Sequence, residues 1–410
     1  MLGRLLNIFK KESVGLYLFA FLIPLYPKWL GYGVAIIVLE QLIKRNFSPL
    51  SNYKKLFEPK KAFLWLFLFY LMHFVGMIYT DNISFGWMDT GMKSSFGIFP
   101  VVFVLFHFKV NKQLLFKSLI LGALVSIIIC YYLSYLNYAE TGKSWHFRES
   151  YLSHFMHRSY WATYLVLAFI FSTYLVIKKQ INIVVGAFLI LLFFAIVFIT
   201  GSKAGILILL ISTISLLVYL TKTTGKLKWS LGLGVLALIT LIITLSYFPS
   251  VANRIKSSYM FATGEYSINV EKTESTASRI LMWRTSVDLI KEKPLLGVGT
   301  GDIKDALVQK NIEMGYTDVA NRNMNSHNQF LNTWVAIGFF GFIFLFLFFL
   351  IPFIYVPTGE IFIQRLIVFT LFASLLAESF LETQAGIIPV AFLLSLFSLD
   401  HSKKKRLPKN

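Results

Sequence analysis

One polar segment, Ser278 to Gly341, gathers most of the residues able to do chemistry in an otherwise apolar chain. It reads SRILMWRTSVDLIKEKPLLGVGTGD and then, after a polar interval, NSHNQFLNTWVAIGFFG. His327 stands where MNSHN gives way to a run of Phe, Ile and Leu. An imidazole of ordinary pKa, about 6.5, can take a proton from a hydroxyl at neutral pH. The other reading of this position is an interfacial cap residue bonded to a loop. Arg279 and Arg284 fall in an expected short helix, about Thr276 to Lys291, ended by Pro294 and the glycines Gly297, Gly299 and Gly301. Arg279 and Trp283 share a face at i, i+4, while Arg284 lies about 100° round from Trp283. Guanidinium forks match phosphate oxygens in pairs and suit a pyrophosphate. Pairing with Asp288 or Glu292, or contact with lipid headgroups, is the alternative, and for Arg284 an equally weighted one.

Further candidates lie upstream. Lys203, in the tight TGSKAG corner, needs an anion or must snorkel to the headgroups, and both readings stand. HFMHRSY supplies His154, His157 and Arg158. Its His-x-x-His pair lacks a third ligand placed with it, so no metal site is expected, and Arg158 is a reserve phosphate contact. GVGTG follows no strand and precedes no GK[ST], so it reads as a turn returning the chain to the membrane and not as a nucleotide loop. Cys130 is the single cysteine, which excludes a disulfide framework or a thiolate cluster. His73, His107, Glu378 and Glu382 have no partner assignable from sequence.

The elements that must position these groups are helices in lipid. Of 410 residues 56% are hydrophobic and 17% aromatic; mean hydropathy is +0.67. Too little polar surface is left to cover a soluble core. Apolar runs of about 17 to 25 residues recur, and in lipid such runs must be helical because every backbone group needs an internal partner. The expected fold class is an all-α polytopic membrane protein of about twelve transmembrane helices, with one large periplasmic loop containing short helices. Residues 1–248 would hold spans one to nine, 249–326 the loop, 327–399 spans ten to twelve, and 400–410 a basic cytoplasmic tail. The first run, behind MLGRLLNIFKK, reads as an anchor, since it lacks a small-residue cleavage site. Net charge is +19. With both termini cytoplasmic, nearly all of that excess falls on inner segments, as the positive-inside rule requires, so the basicity calls for no nucleic acid. The loop then faces the periplasm, where no ATP is available.

The motif HNQFLNTWVAIGFFG, His-Asn, nine residues, Gly-x-x-Gly, resembles the signature of the O-antigen ligase branch of the O-antigen ligase and polymerase superfamily. SRILMW…PLLGVGTGD is similar to that family's periplasmic loop, and TGSKAG to its Ser-Arg-Gly corner. The resemblance implies a metal-independent, GT-C-like glycosyltransferase of the bacterial inner membrane, without cofactor, its active site facing the periplasm. It would move a preassembled glycan from undecaprenyl pyrophosphate to a hydroxyl of lipid A core sugar. Carried over by motif, the essential histidine is His327, and the pyrophosphate contacts are Arg279 and the position of Lys203. Lys203 replaces the family's arginine, so a two-pronged contact becomes a point charge, and Phe342 stands where threonine is usual. Joining the resemblance to the residue readings gives His327 as general base, with Arg279, Lys203, Arg284 and Arg158 as pyrophosphate ligands. Two rivals stand beside it: a polymerase joining lipid-linked units, and a lipid-linked glycan transporter.

Overall fold

The computed structural model describes residues 12–225, isolated positions between 231 and 246, 268–356 and 360–399. The expected ninth span, the first part of the outer loop and the basic tail lie outside the described residues, apart from those isolated positions.

Helices make up the described chain in the order α1 Val14–Leu22, α2 Leu30–Lys44, α3 Ala62–Met77, α4 Ile83–Met92, α5 Ser95–Leu105, α6 Lys112–Thr141, α7 Arg158–Ile177, α8 Ile183–Ile199, α9 Lys203–Thr224, α10 Ser275–Glu292, α11 Ile303–Glu313, α12 Thr317–Asn321, α13 Gln329–Ile354, α14 Ile361–Ala377 and α15 Gln384–Phe397. Among the described residues, α6, α7, α9 and α13 are long and apolar enough to cross a membrane, and α3 joins them if it forms one bent span with the turn before it. The apolar runs expected as further spans fold as shorter helices. Pro24 stands just past the end of α1, which is nine residues long, and a proline there has no backbone N–H to continue a helix. The link from Asp81 to Lys93 is itself helical, because Asn82 accepts the Phe85 amide and caps α4.

At the centre stands α7, with 89% of its apolar window buried. It packs against α6, α8, α9 and α14, and its one indole, Trp161, satisfies its N–H on Ser126 Oγ at 2.8 Å. Phe19, Phe99 and Phe392 tie α1, α5 and α15 together, Phe99 edge to face with each of the other two rings and Phe19 tilted against Phe392.

The helix α13 is broken. Ile337 and Gly338 leave helical geometry, Gly338 at φ 70°, a conformation in which only glycine is unstrained. A Cβ on Gly338 would also overlap the Leu295 carbonyl, and one on Gly341 would overlap the Ile337 side chain. The break frees backbone carbonyls that the GVGTG segment satisfies. Val298 N–H donates to Val335 O at 2.8 Å and Gly299 N–H to Ala336 O at 3.0 Å, while Phe339 N–H returns to Pro294 O at 3.0 Å. Thr300 N–H reaches Gly76 O and Gly301 N–H reaches Thr80 Oγ1. GVGTG is therefore the turn expected from sequence, and its amides already donate within the protein, so none is turned to a phosphate.

Candidate functional site

Three helices begin at one cavity of about 350 Å³. At α7 the first residues are Arg158 and Ser159, at α9 Lys203, and at α10 Ser275 and Thr276, with Arg279 one turn further along. Local sequence fixes each start. His157 accepts the Ser159 amide, Ser202 accepts the Gly205 amide, and Glu274 accepts the Ala277 amide, each an N-cap that ends the preceding irregular chain. Each helix N-terminus carries about half a positive charge. Three of them with three side-chain cations make a site for an anion. The remaining wall is apolar: Leu207, Ile208 and Ile211 of α9 face Phe369, Phe372 and Leu376 of α14. A polar head and a hydrocarbon tail are thus accommodated side by side.

Glu378, the residue after α14, joins this cavity to His327. One carboxylate oxygen takes Arg279 NH2 at 2.6 Å and Ser159 Oγ at 3.1 Å; the other lies 2.9 Å from His327 Nδ1. Burial pushes the Glu378 carboxyl up, but the His327 hydrogen bond and the Arg279 guanidinium outweigh burial and hold it at about 2. An ionised carboxylate only accepts, so Nδ1 carries the shared proton, and in the neutral ring Nε2 is then an acceptor. His327 sits at φ 45°, and its side chain is 22% exposed. Asn328 follows and caps α13, accepting the Phe330 and Leu331 amides, and its Nδ2 donates to Leu376 O at 3.1 Å. The His-Asn pair therefore places a ring at the carboxylate and stitches α13 to the end of α14.

Arg279 also donates to Ser275 Oγ at 2.6 Å, while its Nε has no hydrogen-bond partner among the described residues. Lys203 Nζ meets Thr276 Oγ1 at 2.6 Å, at the mouth of α10, and Arg158 pairs with Glu149 at 3.3 Å. Arg279, Lys203 and Arg158 therefore share one cavity. Arg284 corrects the sequence reading. Five residues on from Arg279 in the same helix, it is rotated about 140° away, is exposed and does not line the cavity. Nor does it pair with Asp288, which binds Lys291 at 3.0 Å. His154 bonds Ser134 at 3.0 Å while His157 caps α7, so the two face different partners. Glu378 is the functional candidate that spacing missed. The one available signal was its cost: a carboxylate at the end of an apolar run demands a cation.

The described residues define a helical protein of membrane type with a cavity lined by Arg158, Lys203 and Arg279. Residues 187–346 match the O-antigen ligase family. The matched stretch includes Lys203 of α9, Arg279 of α10 and His327, two residues before α13. An uncharacterized protein of Haemophilus influenzae is similar at 25% identity over 344 residues, 82% of each chain.

Proposed function

We propose that this chain is an O-antigen ligase, moving a preassembled glycan from undecaprenyl pyrophosphate to a hydroxyl of lipid A core sugar at the periplasmic face of the inner membrane. The observation that carries the reading is the junction of an anion cavity with a carboxylate-held imidazole through Glu378. The diphosphate lies among Arg279, Lys203 and Arg158, and its polyprenyl chain against the α9 and α14 wall. The acceptor oxygen attacks the anomeric carbon, its proton passes to His327 Nε2, and the bond to the diphosphate breaks, leaving polyprenyl diphosphate. Charge grows on the departing oxygen where the three cations and helix ends already point, a preorganised stabilisation. Attack opposite the leaving group inverts the anomeric centre. The sugar–phosphate bond supplies the driving force, so no nucleotide or metal enters.

The polymerase reaction uses the same donor and differs in acceptor, a second lipid-linked unit. Purified protein given labelled lipid-linked glycan and either lipid A core or a second lipid-linked glycan separates the two. Label moving to lipid A core supports the ligase. Chain growth without the core assigns polymerase, and no transfer to either hydroxyl removes the enzyme reading.

A further inference from the structure

His327 and Glu378 lie 51 residues apart on different segments, so their 2.9 Å contact needs something to hold those segments in register. Three consecutive residues provide it. His327 meets Glu378, Asn328 meets Leu376 O, and Gln329 meets both Leu381 and Glu382. Gln329 Oε1 accepts the Leu381 amide at 2.6 Å, and its Nε2 donates to Glu382 Oε1 at 2.9 Å. This pair of partners admits one amide orientation: flipped, the NH2 would face an N–H and the carbonyl a carboxylate. It also admits one residue type, since Asn is a methylene too short and Glu would set two carboxylates against each other. Gln329 is 1% exposed, where a lost hydrogen bond leaves its partners unsatisfied.

The far end of the clip is anchored. Glu382 Oε2 accepts from Lys93 Nζ at 3.1 Å, and Lys93 Nζ is held by Asp89 at 2.5 Å. Lys93 is itself 1% exposed, so the ion pairs fix Glu382 to α4 in a low-dielectric surround where they are weakly screened. The segment from Glu378 to Glu382 has little regular structure of its own, a single 3-10 turn at Phe380–Glu382 distorted at Leu381. Its position is therefore set from outside, at Glu378 by Arg279 and at Glu382 by Lys93 and Gln329.

We propose that Gln329 is a positioning residue for the transfer reaction, setting the His327–Glu378 register through Glu382 and Lys93, a role that rests on His327 acting as the base. A ring displaced by about 1 Å from its productive place can lose as much as a hundredfold in rate. The test uses the full chain in lipid nanodiscs with lipid-linked glycan extracted from cells lacking the protein. Gln329→Met keeps the length and removes both bonds to the Leu381–Glu382 segment, together with a third, to Thr333 Oγ1. It is expected to lower kcat by about tenfold, within that bound, with the donor KM within about twofold and no further loss when added to Glu378→Gln, because both changes act on one contact. Should Gln329→Met not accumulate folded, Gln329→Asn serves in its place. An unchanged kcat, a loss matched only by lost folded protein, or an equal further loss in the Glu378→Gln background overturns the role. His327→Ala is assayed alongside. Activity retained there removes the base reading and this role with it, whereas an inactive His327→Ala beside a fully active Gln329→Met removes this role alone.

Discussion

Two clusters of charge stand a few residues apart on the same segment, one around Glu378 and one around Glu382, and they use similar side chains to opposite ends. Around Glu378, the Arg279 and His327 side chains are each 22% exposed, and Arg279 borders a cavity to which three helix N-termini contribute. Around Glu382, the Lys93 side chain is 2% exposed and that of Asp89 4%; Asp89 lies inside α4 and Lys93 at its C-terminal end. His73 Nδ1 lies 3.7 Å from Asp89, beyond hydrogen-bond length. The comparison teaches that a cation can serve as a ligand site only where it keeps access. Buried and matched by carboxylates, it is a strut. Spacing four residues apart would put Glu378 and Glu382 on one helix face, but α14 ends at Ala377 and sends them to different partners.

That division can be broken by exchanging the consequences of mutation between the clusters. His327→Ala should lower turnover by about 10² to 10⁴ while binding of undecaprenyl diphosphate is kept, read by single-turnover transfer and by direct titration. Full turnover in the purified variant would erase the difference between the clusters. Lys93→Met leaves the buried carboxylate of Asp89 and the half-buried one of Glu382 without their cation and should cost about 3–5 kcal/mol of stability, read as a fall in the thermal midpoint, with donor affinity per folded molecule unchanged. A variant that melts normally but binds donor weakly would move Lys93 into the site. Lys203→Ala should weaken undecaprenyl diphosphate binding about tenfold, the scale of one charge-assisted hydrogen bond, and Lys203→Arg less. Equal loss in both points to packing. Arg284→Ala, outside the cavity, should leave transfer within about twofold; a drop as large as that of Lys203→Ala would extend the site along α10.

The membrane class was legible because composition and run length obey the solvent: nothing but a helix survives in lipid. The helix carrying Arg279 was legible from its caps and terminating glycines, and it runs Ser275–Glu292. Span lengths were less so, because prolines such as Pro24 and Pro100 and the break at Gly338 depend on which backbone groups find tertiary partners. His327, Arg279 and Lys203 could be picked out by type and place. Glu378 could not, since its three contacts come from residues far away in the chain and no periodicity records them. For Arg284 spacing left two readings open, and the phase that decides its place is the one against Arg279: five residues turn it about 140° away, outside the cavity.

The interruption at Gly338 divides α13 into a longer shaft, 339–354, and a short stub, 329–336. The stub's last carbonyls accept from Val298 and Gly299, which ties it to the GVGTG turn, and the imidazole lies two residues before it. A displacement of that turn would turn the ring without bending the shaft. By reciprocity, occupancy at the ring would be felt at the turn.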